Sequence, residues 1–254
     1  MHELYTVQHI IDIFTPGNPE FVSILIAFCI ANAIGLLEYI WAVAINIKEH
    51  KTPFPAWAHT FFFAHDFTAG CVFVTLAVQN DFFWMFTVYG LGMLTWTCLE
   101  AINMRTIIKY EREEVLGPGA TKGQVIIYLV LQLASMFAIV NILRWNMNDV
   151  AMFCWLPLTN VVMAIAPGYV LYKRKSREGS SMFIYIMVVI GTIFNFLPAP
   201  IGLFTSVTPW IYNQPIWFAV GVVCTIIAVY NAYRFSKLPA KTKEMGNYKN
   251  KPIW

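Results

Sequence analysis

Seven stretches of this chain are apolar for long enough to cross a membrane, and no other feature narrows its fold so far. A hydrocarbon layer of ~30 Å takes about 20 helical residues to cross. The runs at 21–47, 55–79, 82–108, 124–143, 149–172, 181–204 and 214–235 meet that length, the fourth framed by Lys122 and Arg144. Backbone amides find no water in lipid, so isolated spans of this length are helices. With 58% of residues hydrophobic and 12% charged, a water-soluble domain is excluded. The sequence therefore predicts an all-α membrane protein of seven transmembrane helices.

The basic residues orient these helices. Of 17 Lys and Arg, 16 fall on one side of a seven-span arrangement and only Arg144 on the other. The rich side holds Lys48 and Lys51, then Arg105, Lys109, Arg112 and Lys122, then Lys173, Arg174, Lys175 and Arg177. The tail adds Arg234, Lys237, Lys241, Lys243, Lys249 and Lys251. Positive loops stay in the cytosol, which predicts an N-terminus outside and a C-terminus inside. Residues 1–20 are then an external segment, 21–236 the transmembrane domain and 237–254 a cytosolic tail. The first segment reads as a half-amphipathic helix through Leu4, Ile10, Ile11 and Phe14, ending at the Thr15-Pro16-Gly17 turn. It carries no Lys or Arg and no signal-peptide pattern, so the first span itself is expected to insert the chain. The basic loops suit anionic lipid headgroups, and no nucleic-acid partner is expected. The expected membrane is the endoplasmic reticulum in a eukaryote or the plasma membrane in a bacterium. Cys29, Cys71, Cys98, Cys154 and Cys224 all fall within predicted spans, read as small core residues, and have no metal-ligand spacing.

A coarse two-fold layout runs through the chain. Superposing Lys48 on Lys173, an offset of 125, carries the third span close to the seventh. This predicts a 3+1+3 arrangement, in which helix four links two three-helix bundles, as some transporters are built.

Ionisable side chains at a helix centre in lipid cost on the order of 2.5–3.5 kcal/mol, so they mark candidate sites. Asp66 lies midway along the second span, beside His65. His59, Phe62, Phe63 and Asp66 share a face at ~100° per residue, which predicts Asp66 and His59 on one cavity and His65 pointing elsewhere. Glu38 in the first span and Glu100 in the third, with Trp96 and Asn103 on the face of Glu100, are further candidates. Asn32, Asn160, Asn195 and Asn231 read first as interhelical glue. Aromatic residues make up 16% of the chain, and those facing a cavity with an acid would stabilise a cation without trapping it.

The stretch 41–70, WAVAINIKEHKTPFPAWAHTFFFAHDFTAG, resembles the corresponding region of the fungal integral-membrane terpene cyclases that build meroterpenoids, which also have seven spans. Aligning the family's proline with Pro55 puts Asp66 on its catalytic Glu, Phe67 on the next residue and Gly70 on a nearby glycine. The segment 171–194 is similar to the family's basic loop, Gly-Ser step and Gly-Thr. Phe62 and His65 stand where the family has Asn and Trp. Its second acid, in the last span, is absent here, and Asn231 stands near that place with Tyr230 beside it. The resemblance implies metal-free, cofactor-free, proton-initiated cyclisation of a lipidic prenyl or epoxyprenyl substrate. Asp66 would be the proton donor, and His59 or His65 would orient it or restore its proton. An acid in a dry pocket is favoured in its neutral form and can donate to an epoxide or alkene. The chain also lacks an aspartate-rich magnesium motif of the kind that ionises diphosphates.

A second expectation, from the 3+1+3 layout, is a small-solute transporter, although the chain has no Pro-Gln dipeptide and no proline in its first span. A retinal receptor is disfavoured, because the seventh span has no Lys for a Schiff base.

Overall fold

The computed structural model describes residues 5–241 and is helical, with no strand among those residues. Leu4 and most of the tail, including Lys243, Lys249 and Lys251, lie outside the described residues. A short amphipathic helix α1 (Val7–Ile13) comes first, capped by the Thr6 side chain, which accepts from the His9 amide. It buries Ile10 and Ile13, and the chain then turns at Pro16-Gly17, where Gly17 takes a φ of 106°. The long helices follow: α2 (Phe21–Glu49), α3 (Ala56–Gln79), α4 (Trp84–Thr106) and, after a short α5 (Arg112–Leu116), α6 (Lys122–Met147). Next come α7 (Leu156–Arg174), α8 (Met182–Asn195), the short α9 (Leu203–Val207) and α10 (Pro209–Tyr212), and finally α11 (Pro215–Ser236).

Five of these helical runs are long and apolar enough to cross a membrane: α2, α3, the α4–α5 run Trp84–Leu116, α6 and α11; α8 is a shorter apolar helix. Their outward faces carry bare aliphatic side chains, with Ile127 63% and Ile216 72% exposed. Continuous apolar surface of this kind belongs in lipid, so the chain is a helical membrane protein. α3 is the most enclosed of the five and α6 the least. α3 packs on α4 and α6, α4 also meets α2, and α7, α8 and α11 pack on one another. The two groups meet mainly where α2 lies along α8.

Glycines set the closest approaches. A Cβ on Gly70 would lie 2.7 Å from the Leu94 side chain, and one on Gly90 3.0 Å from Val74, so α3 and α4 settle into each other at small residues. On the other side, a Cβ on Gly221 would lie 2.4 Å from Phe196.

Three expectations need correcting. The run at 181–204 is helical only to Asn195, 14 residues or about 21 Å, because Pro198 and Pro200 stop it. The run at 149–172 starts its helix only at Leu156; residues before that form turns around the Asp149 carboxylate, which accepts from the Cys154 and Trp155 amides at 3.0 Å each and from the Tyr5 hydroxyl. Of the cysteines, Cys154 and Cys224 are buried, whereas Cys29, Cys71 and Cys98 lie on outward faces. The third basic loop is also more helical than expected. Beyond α4 the chain continues through a π-helical turn (Ile107–Glu111) into α5, so Arg105, Lys109 and Arg112 sit on helix.

Candidate active site

Between the two helix groups lies a cavity of about 830 Å³, its mouth included. Polar or small residues recur on α2 as Ala31, Asn32, Gly35, Glu38 and Tyr39, so one helical stripe of a uniformly apolar helix forms the first wall. α3 supplies Phe62, His65 and Asp66; α4 supplies Tyr89, Met93 and Trp96; α7 and α8 supply Asn160, Thr192 and Asn195. Leu203 and Phe204 of α9 line it as well.

Asp66 is 5% exposed and its Oδ1 lies 2.8 Å from His65 Nδ1. The expectation that His65 points elsewhere is corrected here. Consecutive helical residues diverge by ~100° at Cβ, but the imidazole is long enough to swing back toward its neighbour's carboxyl. Its ring stacks on Phe61 at 6.1 Å between centroids and stands 6.4 Å from Trp155. Its Nε2 has no hydrogen-bond partner among the described residues. Glu38 faces the same cavity from α2; it is 4% exposed and its Oε1 is likewise without a partner, as is Trp96 Nε1.

The structure does not place His59 at the cavity wall with Asp66. His59 turns to α4, where its Nδ1 lies 2.5 Å from Glu100 Oε2, both side chains fully buried. Glu100 does not line the cavity either; Asn103 donates to its Oε2 at 3.3 Å and Asn46 donates to Asn103 at 2.9 Å. Asn231 also lies away from the wall. Its Nδ2 donates to the Ala164 carbonyl at 3.2 Å beside Gly168, joining α11 to α7. Of the intramembrane asparagines, Asn195 donates to Asn160 at 3.0 Å across the cavity wall, and Asn32 bonds the Phe28 carbonyl of its own helix. Phe63 belongs to a separate apolar cluster against Phe67 and Phe137.

Tyr39 is one of the wall residues that the sequence reading passed over, with Tyr89 and Met93. Its signal was its place beside Glu38, four residues after Gly35 on the polar stripe of α2. Together the cavity offers an acid with an imidazole partner, a second acid across the space, and aromatic rings from Tyr39, Phe62, Tyr89, Trp96 and Phe204. Among the described residues no three His, Cys, Asp or Glu side chains converge as a metal-binding group. No protein-family model, curated protein or solved structure matches the chain.

Proposed function

We propose that the chain is a membrane-embedded terpene cyclase that starts cyclisation of a prenyl or epoxyprenyl substrate by proton transfer from Asp66. The carrying observation is the Asp66–His65 pair, with a 2.8 Å contact, in the wall of a cavity ringed by aromatic side chains. A carboxyl in water-poor surroundings can protonate a terminal alkene or epoxide, and ring faces stabilise the cation that follows. Glu38, which lines the same cavity, would take the final proton. The protein would be a seven-span bundle in a 3+1+3 layout, with α7 and α8 crossing despite their lower apolarity or length. Its N-terminus would be outside and its C-terminus cytosolic, in the endoplasmic reticulum of a eukaryote or the plasma membrane of a bacterium. A lipidic substrate reaches such a site from the bilayer.

The test is product analysis by mass spectrometry. Membranes carrying the wild type or Asp66→Asn are incubated with linear prenylated phenols and their terminal epoxides. A cyclised isomer of unchanged mass is expected from the wild type, reduced at least about 100-fold in Asp66→Asn at equal folded amount. Glu38→Gln is expected to consume substrate but shift the product pattern toward water-captured alcohols.

A transporter is the second reading, favoured by the position of the cavity between two helix groups and by Pro167 inside α7, a natural bending point. No conversion across the substrate panel, together with proton-coupled solute uptake that Asp66→Asn abolishes, would replace the cyclase reading with this one.

A further inference from the structure

Behind the cavity lies a second buried polar cluster for which the cyclisation scheme has no task. His59, Glu100 and Asn103 are 0% exposed and Asn46 1%. Three of its atoms, His59 Nε2, Glu100 Oε1 and Asn46 Oδ1, have no hydrogen-bond partner among the described residues. A polar cluster left this incomplete is a poor device for packing, because apolar side chains of similar volume would fold at least as well.

Tyr39 links this cluster to the cavity. Its ring packs 6.3 Å from that of Phe62 and 6.2 Å from that of Trp96. Phe62 lies one turn beyond His59 on α3, and Trp96 one turn before Glu100 on α4, so the phenol bridges the two levels. Tyr39 lines the same cavity as Asp66 and Glu38. One phenol thus stands between the cavity that holds both acids and the turns of α3 and α4 that carry the buried pair.

The proton balance calls for such a link. At initiation the Asp66 O–H bond breaks and a substrate C–H bond forms. At termination a C–H bond breaks, its electron pair closes a C=C bond, and the proton passes to Glu38. The substrate is isomerised with no net change of atoms, but the proton now sits on Glu38 and Asp66 is ionised. Resting on the cyclase reading, we propose that Tyr39 recycles this proton inside the membrane. Its hydroxyl proton passes to Asp66 as its oxygen receives the proton from Glu38. The Glu100–His59 pair holds the proton when the two transfers do not coincide.

Deuterium labelling tests this. A linear terminal-alkene substrate whose product ends in a new C=C bond is converted over many turnovers in deuterium oxide, and product deuterium is counted by mass spectrometry. Recycling carries substrate hydrogen into the next product, so the wild type is expected to give on average clearly less than one deuterium per product. Tyr39→Phe keeps the ring and its packing; it is expected to retain the first turnover, slow the steady state and raise the content to one deuterium per product. If Tyr39→Phe proves unstable, Glu100→Gln leaves the phenol in place and is expected to raise deuterium content in the same direction. One full deuterium per product from the wild type overturns the relay while leaving the cyclase reading standing. A content unchanged in both variants also overturns it. No cyclised product from the wild type overturns both.

Discussion

Asp66 entered as a proton donor and Asn231 first as interhelical glue, near the place of the second acid that the resemblance lacks, and their surroundings separate them. Asp66 looks into the cavity, whereas the Asn231 amide is used up on the Ala164 carbonyl, with Gly168 so close that an added Cβ would lie 2.5 Å from it. Asn231→Ala is therefore expected to leave the product pattern unchanged and to lower unfolding stability by about 0.6 kcal/mol, typical of one interhelical hydrogen bond in a membrane. Gly168→Ala forces the amide aside and is expected to cost more, about 1–3 kcal/mol, by thermal unfolding in nanodiscs. The midplane acid was legible because lipid makes such residues expensive. The partner of each histidine was not, because side-chain torsions, which no periodicity records, send His65 to its own neighbour and His59 to α4.

At the scale of elements, hydropathy located α2, α3, α6 and α11 to within a few residues but misjudged where backbone chemistry overrules it. Ile201, Leu203 and Phe204 extend the apolar run of α8, yet Pro198 and Pro200 end the helix. The opposite happens after α4, where charged residues continue as helix because a network across the chain holds them. Glu111 accepts from the Thr52 amide at 2.7 Å and from Arg174 Nη2 at 2.7 Å, and Arg174 Nε also donates to Glu114 at 2.7 Å. Removing the cation leaves two carboxylates together, one of them deeply buried. Arg174→Met is expected to lose about 3–5 kcal/mol of stability, whereas Lys173→Met, which removes an exposed bond to the Glu114 carbonyl, should change little.

For the molecule as a whole, the charge asymmetry predicts opposite sides for the two ends of the bundle. Single cysteines placed at Thr15 and Pro118, both exposed, test it in a background lacking native cysteines. In cells that carry the protein in the plasma membrane, a membrane-impermeant maleimide is expected to label Thr15→Cys, and to label Pro118→Cys only after permeabilisation. Equal labelling of both in intact cells would mean a different number of crossings between them. What the sequence could not disclose was which helices neighbour one another. α2 is apolar on most sides, and only the packing of α4, α8 and α9 against it shows that its polar stripe faces a cavity.

That cavity is also assembled late. Its walls run from Ala31 to Phe204 along the chain, so α2, α3 and α4 are synthesised before any residue of α7, α8 or α9 exists to cover them. Glu100 finds His59 already made and Asp66 has His65 beside it, but Glu38 must wait in lipid or in the insertion machinery until the ribosome reaches the second group. The vulnerable moment for this protein is therefore its biogenesis, when a half-made chain still lacks the helices that shelter Glu38.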